Sequence, residues 1–259
     1  MPYPLSAPGP FRVDQLRDGD PYELSEGHPV QCLPTGGNGS GPNGRGFVVL
    51  DTDPAAPPAG VDAGIALSDK TLRAPDVAVG IGPERRGWST TVPPLVVEYA
   101  AEGQDGADLR TKIDEFLAAG TRWVWVVRLT GPRRVEVHTA GRPMRVVAAG
   151  EALEAPGVLK NPVPVVALFD RDAAHEVALR NLLQRKGYDS LEAIAAEAEL
   201  RGKAEGKAEA LLVVLAARGF VVDAHTRATV LACTDAARLQ QWITRAVTAA
   251  SLVEVLSSP

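Results

Sequence analysis

The sequence has little of what several common classes of protein require. Its 2 cysteines, Cys32 and Cys233, lie far apart in the chain, so we interpret them as reduced thiols rather than as a disulfide. The opening residues, MPYPLSAPGP, hold neither a basic stretch nor an apolar core and do not predict a signal peptide. No uncharged apolar run approaches the roughly 18 residues that a membrane helix needs. These absences argue against a disulfide framework, a secretion signal and a membrane span.

Excess positive charge is also missing. The formal net charge is -5, which argues against a surface that binds polyanions in general, so a nucleic-acid ligand would need a local basic patch. The glycine-rich stretch TGGNGSGPNGRG lacks the Gly-x-x-x-x-Gly-Lys-Ser/Thr spacing of a phosphate-binding loop, and we interpret it as a flexible connector. The 4 histidines are scattered and form no zinc-ligand pair with the cysteines.

The composition predicts a mostly globular protein. The chain has 259 residues, of which 45% are hydrophobic and 23% charged, enough for one domain with a full core and a smaller annex. Changes of character along the chain predict four parts: an irregular arm at 1–10, a main domain at 11–171, a helical connector at 172–210 and a small helical bundle at 211–259.

Strand-like segments dominate the main domain. YELSEGHPVQCLP indicates strand, turn and strand, and FVVL at 47–50 indicates a buried strand. Four later segments, rich in Val, Ile and Trp, predict further strands: APDVAVGI, VPPLVVEYA, RWVWVVRL and RRVEVHT. Between the second and third of these, DLRTKIDEFLAAG has helical spacing, with Asp108 placed to cap its start and Gly120 to end it. This order predicts an α/β fold with a mixed sheet and a hairpin at its end.

Helical patterns replace the strands from Asp172 onward, apart from a short apolar FVV at 220–222. The repeat RGKAEGKAE alternates charges in the manner of a solvent-facing helix and indicates an exposed connector. Five large apolar residues are most simply the core of the final bundle, with a dimerisation or docking face as the alternative: Leu211, Leu212, Leu215, Trp242 and Ile243.

Two carboxylates and a lysine suggest a chemistry. Asp76 follows a proline at the start of an apolar run, Glu98 ends the run PPLVVE, and Lys112 lies at the edge of the apolar helix face. A carboxylate at the end of a buried strand is costly unless it is paired or metal-bound. Two carboxylates can hold Mg²⁺ and a lysine can orient the attacking water, which are the minimal parts of a metal-dependent phosphodiesterase. Taken singly, each of these residues also has an ordinary structural explanation.

Other residues are weaker candidates for the same site. Glu23 and Glu26 could supply a further carboxylate, although exposed hairpin residues are the simpler interpretation. Five arginines could line a phosphate path beside the site: Arg85, Arg86, Arg122, Arg133 and Arg134.

The ordered segments APDVAV, PPLVVEYA, DLRTKIDEFLAAGTRWVWVV and VEVH resemble the Uma-type restriction-endonuclease family of the PD-(D/E)xK nuclease superfamily. Lys112, Phe116 and Gly120 keep the family's helix spacing, and Trp125 falls where the family has a strand tryptophan. The opening hairpin is also similar, and the likeness extends over 13–170. The helical tail resembles the C-terminal segments of transposase-associated nucleases, for which no chemistry is assigned.

The resemblance implies a restriction-endonuclease-like mixed sheet flanked by helices, followed by a small all-helical region. It implies that Asp76 and Glu98 are metal ligands, that Lys112 is the active-site lysine, and that the cofactor is Mg²⁺ or Mn²⁺. The implied activity is endonucleolytic hydrolysis of nucleic acid in the bacterial cytoplasm, with DNA favoured over RNA as the substrate.

Some positions depart from the family's pattern. The superfamily more often carries its lysine at the position of Ala100, so Lys112 has to reach in from the helix. The family's usual helix after the opening hairpin is replaced by glycine- and proline-rich sequence, a serine by Ala101, and an acidic residue by Arg128. The departures leave two alternatives open. One is a degraded nuclease fold that binds nucleic acid or protein without cutting, and the other is an assembly module in which the helical tail is the working part and forms a homodimer.

Overall fold

The structure is a computed structural model, which describes four stretches of the chain: 9–32, 37–83, 86–101 and 106–257. The chain forms two compact units, Met1–Gly187 and Tyr188–Pro259. The boundary between them falls inside the segment 172–210 for which the sequence predicts a single helical connector, so the first helix of that segment belongs to the first unit.

The first unit contains the strands and three of the helices. The strands are β1 Tyr22–Ser25, β2 His28–Gln31, β3 Ala59–Val61, β4 Ile65–Ser68, β5 Thr71–Arg73, β6 Val77–Val79, β7 Leu95–Ala100, β8 Trp123–Arg128, β9 Arg134–His138, β10 Arg145–Ala148, β11 Ala152–Leu153 and β12 Val163–Pro164. The helices are α1 Gly37–Asp51, α2 Ala107–Ala119 and α3 Arg171–Arg185, with short 3-10 turns at Val13–Gln15 and Val165–Leu168.

A six-stranded mixed sheet organises this unit, in the order β10-β9-β8-β7-β6-β3. Strands β7 and β8 pair in parallel across the α2 crossover, while the other neighbours are antiparallel. A second sheet has the order β2-β1-β5-β4, and β11 pairs with β12. These elements confirm the predicted α/β fold, the opening hairpin, the four later strands and the β8–β9 hairpin.

Helix α2 covers one face of the six-stranded sheet through Ile113 and Phe116, which pack on Val96 and Val124. It ends at Gly120, as predicted, because this residue adopts the left-handed conformation with φ 110°. The prediction that Asp108 caps its start is wrong: the N-cap is Gly106, and no side chain caps the helix there.

Helix α1 contradicts two predictions from the sequence. The segment interpreted as a glycine-rich connector and the strand predicted at 47–50 together form this one helix. Val49 and Leu50 are fully buried against the other face of the sheet, and Asn181 of α3 donates a hydrogen bond to the Val49 carbonyl oxygen at 3.3 Å. Tertiary packing therefore outweighs the poor helix propensity of the glycines.

One of these glycines is required for packing, which gives a matched pair of tests. A Cβ added at Gly46 would lie 3.2 Å from ring atoms of the buried Tyr99, whereas one added at Gly44 would meet nothing within 4 Å. We expect Gly46→Ala to destabilise the protein by about 1–3 kcal/mol. Gly44→Ala should instead stabilise it by about 0.5–1 kcal/mol through helix propensity. Urea unfolding of both variants checks this, and equal effects would contradict the packing of α1 on Tyr99.

The second unit is helical and has its own apolar core. Its helices are α4 Leu191–Ala217, α5 Ala224–Leu231, α6 Ala236–Ala246 and α7 Leu252–Leu256. Leu211, Leu215 and Trp242 are buried, and Leu212 and Ile243 pack partly buried against them, which confirms the predicted core. The apolar segment 220–222 is not a strand but part of the connection into α5.

Two further expectations concern the whole chain. Both Cys32 and Cys233 are free thiols, as predicted. Within the described stretches, no helix combines the length and the apolar character needed to cross a bilayer.

Candidate active site

Asp76 and Glu98 lie side by side at one end of the six-stranded sheet. Val77 of β6 pairs with Val97 of β7 in antiparallel register. Asp76, which precedes Val77, therefore lies next to Glu98, which follows Val97. The backbone N–H of Tyr99 donates to Asp76 Oδ2 at 2.6 Å, which fixes the Asp76 carboxylate against the end of β7. The strand pairing thus brings together two residues that are 22 positions apart in sequence.

Glu98 is a buried carboxyl group, with only 8% of its surface exposed. Burial, assisted by the negative charge of Asp76, raises its pKa to about 8, and the nearby ammonium of Lys112 offsets only part of this rise. Glu98 therefore holds its proton more tightly than an exposed glutamate does.

Lys112 reaches the site from α2, as the sequence predicts. Its Nζ lies 2.9 Å from Glu98 Oε1 and 3.1 Å from Glu23 Oε1, and it donates to the Ala74 carbonyl oxygen at 2.8 Å. Burial alone would lower the pKa of Lys112, but the two carboxylates overcome that effect and raise it. Lys112 is consequently a fixed cation, held by one hydrogen bond to a carbonyl oxygen and by close ion-pair contacts with two acidic side chains.

Glu23 belongs to the site, although the simpler interpretation of the sequence places it on the surface. It is 6% exposed on β1, and its Oε2 lies 2.9 Å from Nη1 of Arg73. Burial would raise the pKa of Glu23, but Lys112 and Arg73 together lower it. Arg73 also contacts Glu115 of α2, so β1, β5 and α2 are held together by ion pairs. Glu26, in contrast, is exposed in the hairpin turn.

Helix α1 adds a residue that sequence reasoning missed. Asn43 is buried and donates from Nδ2 to Asp76 Oδ1 at 2.8 Å. The predicted departure from the family's pattern is therefore wrong at this point, because a helix does follow the opening hairpin and presents a polar side chain to the site. The glycines around Asn43 obscure the helical pattern of α1 in the sequence, and the helix is evident only from the packing of Val49 and Leu50.

Asp62 is a second residue missed by sequence reasoning. It lies in the turn after β3 with φ 50°, and its N–H donates to the Asp76 carbonyl oxygen at 3.4 Å. Partial burial and the charge of Asp76 raise the pKa of its carboxyl. Nothing in the local sequence distinguishes this turn aspartate from an ordinary one.

The donor set fits a hard divalent cation. Three carboxyl groups, those of Glu23, Glu98 and Glu115, contact the two cations Lys112 and Arg73, and the Asp76 carboxylate adds negative charge near Glu98. The carbonyl oxygen of the Asn43 side chain is buried and has no hydrogen-bond partner among the residues that the structure describes. Within the described residues no group of three or more His, Cys, Asp or Glu side chains converges as a metal cage. Mg²⁺ commonly uses one or two carboxylates and completes its shell with water and substrate oxygens, which matches Asp76 and Glu98.

The sheet separates the predicted arginine path into two groups. Arg133 and Arg134 lie at the turn between β8 and β9, at the same end of the sheet as Glu98. Arg122 precedes β8 and Arg86 precedes β7, so both belong to the opposite end. Arg85 lies outside the described residues.

Arg128, which replaces an acidic residue of the family's pattern, is itself paired. Its Nε and Nη2 donate to the two carboxylate oxygens of Glu136 at 2.9 and 2.7 Å. The bidentate pair lowers the pKa of Glu136. An acidic side chain is therefore present on the neighbouring strand β9, next to the position where the family has one.

Comparison with known proteins identifies the family and a similar fold. The family model of Uma2, described as "putative restriction endonuclease", matches residues 11–164. A solved structure, a "putative nuclease belonging to DUF820" from Anabaena variabilis, superposes with a TM-score of 0.54 at 18% sequence identity. That alignment covers 64% of this chain and 99% of the other. No curated protein matches the chain.

The fold and the site together define a nuclease-like α/β domain with a helical C-terminal unit. The chain belongs to the Uma2 family of restriction-endonuclease-like proteins.

Proposed function

We propose that the protein is a divalent-metal-dependent endonuclease that hydrolyses phosphodiester bonds of nucleic acid, with DNA rather than RNA as the substrate. The observation that carries the proposal is the convergence of Asp76, Glu98 and Lys112 at one end of the sheet. The family's description as restriction endonucleases supports DNA as the substrate.

Asp76 and Glu98 are the proposed metal ligands. The hydrogen bonds from Asn43 and from the Tyr99 backbone orient Asp76 while leaving lone pairs on both of its oxygens. A divalent cation bound there would lower the pKa of a coordinated water and neutralise charge on the scissile phosphate. Because binding requires an ionised Glu98, it also requires the loss of the proton that burial places on that group.

Lys112 is the proposed electrostatic group of the site. Its raised pKa excludes it as the base that takes a proton from water. As a fixed cation it stabilises the additional negative charge that develops on the phosphoryl oxygens in the transition state. Glu23 and the Ala74 carbonyl hold its ammonium in position, so Glu23 is a positioning residue.

The first test is metal binding. We expect Asp76→Asn to weaken Mn²⁺ and Mg²⁺ affinity at least about tenfold in isothermal titration, because it removes a charged ligand while keeping the shape of the side chain. Asp69→Asn is the matched control, since Asp69 is exposed and forms an ion pair with exposed Arg12. Unchanged affinity in Asp76→Asn would contradict the ligand assignment.

A further inference from the structure

A basic cavity opens at the same end of the six-stranded sheet as the candidate active site. It has a volume of about 500 Å³, and its wall includes Gly41, Pro42, Arg45, Arg128, Arg133 and Phe169. The net charge of the chain is negative, so three arginines around one cavity form the kind of local patch that an anionic ligand requires. We call this cavity the arginine pocket.

The arginine pocket lies at the same end of the sheet as Asp76 and Glu98. Arg45 follows Asn43 by two residues on α1. On the other side, the N–H of Leu129, which also lines the cavity, donates to the carbonyl oxygen of Ala100 at 2.9 Å, two residues beyond Glu98. The same helix and the same strand therefore support both the cavity and the candidate active site.

Two of the three arginines keep their charge available. Arg128 is compensated by its bidentate pair with Glu136. Within the described stretches of the chain, Arg45 and Arg133 form no salt bridge with an acidic side chain. Both act electrostatically on Asp170, whose single negative charge can offset at most one of the two guanidinium charges.

The two available guanidinium groups are also positioned. Arg45 lies along α1, where a Cβ added at Gly41 would be 3.4 Å from its Nη1. Its Nε is buried and finds no hydrogen-bond partner within the described part of the chain. Arg133 stacks over Phe169, with its guanidinium carbon 5.8 Å from the ring centroid. Held guanidinium groups lose less conformational freedom when they bind an anion, and their geometry suits bidentate contact with phosphate.

We propose that the arginine pocket binds a backbone phosphate of the nucleic acid, through Arg45 and Arg133. This inference rests on the proposed nuclease function and assigns the part of the site that positions the substrate. A contact of this kind fixes the register of the strand without reading its sequence. Arg133 is one of the arginines that the sequence suggests, whereas Arg45 and Phe169 become neighbours of it only in the fold.

The test is DNA binding without cleavage. A fluorescently labelled duplex is titrated in EDTA at several salt concentrations, with anisotropy as the readout, against the natural protein, Arg45→Gln, Arg133→Gln and the double variant. We expect each single variant to weaken binding about tenfold and to reduce the slope of log K against log salt by about 1. Arg122→Gln, an exposed arginine at the opposite end of the sheet, is the control and should bind like the natural protein.

The outcomes separate the two proposals. If the natural protein binds DNA and both variants bind like Arg122→Gln, the arginine pocket is not a phosphate site, while the nuclease proposal stands. A parallel titration with inorganic phosphate covers the remaining case. If the natural protein binds phosphate but not DNA, and the variants lose phosphate binding, the nucleic-acid assignment is overturned. Arg133 is exposed, so its variant should keep the natural unfolding temperature and remain interpretable even if Arg45→Gln is unstable.

Discussion

Replacing Lys112 with methionine is expected to abolish cleavage and to lower the free energy of unfolding by about 3–5 kcal/mol. The cleavage loss follows because Lys112 is the proposed stabiliser of the charge that develops on the phosphoryl oxygens, and no other cation contacts Glu98 among the described residues. The stability loss follows because Glu23, whose pKa is lowered by Lys112 and Arg73, would stay ionised with one of these two cationic partners gone. Plasmid cleavage and urea unfolding measure the two effects separately. Lys70→Met, at an exposed turn, is the control for removal of a lysine.

A second variant separates the chemical role of Lys112 from its structural one. Adding Glu23→Gln to Lys112→Met removes the stranded carboxylate, so the double variant should recover part of the lost stability, with a coupling energy above about 1 kcal/mol. It should nevertheless remain inactive, because the cation is still missing. Cleavage at the natural rate by stable Lys112→Met protein would contradict the role of Lys112.

Glu98→Gln is expected to remove metal binding and yet to stabilise the metal-free protein at alkaline pH. The folded-state pKa of Glu98, about 8, lies above the ordinary value of 4.5, so the folded state binds this proton more tightly than the unfolded chain. The contribution of Glu98 to stability is therefore present below pH 4.5 and declines as the pH rises towards 8. Glutamine cannot ionise, and its variant should unfold at a higher temperature than the natural protein at pH 8 and above.

The same pKa sets the pH dependence of metal affinity. Since the ion binds the carboxylate and not the acid, apparent affinity should fall about tenfold for each pH unit below 8 and level off above it. Isothermal titration in two buffers of different ionisation enthalpy should detect about one proton released for each metal ion bound at pH 7. A pH-independent affinity with no proton release would mean that Glu98 is not a ligand.

Local pattern was sufficient to predict the elements that carry the three central residues. The apolar runs before Glu98 and after Asp76 form strands because they are buried on both faces, and the spacing of Ile113 and Phe116 makes α2 a helix whose edge carries Lys112. The helix α1 was not predictable in this way. Its glycines favour a loop, and the helix is stabilised by distant partners, Tyr99 and Asn181, that a local window does not contain.

The surroundings of the site depend on the fold in the same manner. Glu23 reaches Lys112 and Arg73 only because β1 pairs with β5, through the single register contact Leu24 to Leu72. Nothing near Glu23 in the sequence distinguishes it from Glu26, three residues later and exposed. Arg45 and Arg133 likewise meet across a cavity although they are far apart in the chain. Side chains that act through long-range contacts leave no periodic signal.

The most direct test of the nuclease proposal is cleavage of supercoiled plasmid and single-stranded DNA with Mg²⁺ or Mn²⁺, using the natural protein and Asp76→Asn side by side. The proposed site predicts cutting that needs the metal and disappears in the variant. Absence of cutting by the natural protein on either DNA with either metal would contradict the assignment and favour a nuclease fold that only binds. Equal cutting by both proteins would place the activity at another site or in a contaminant.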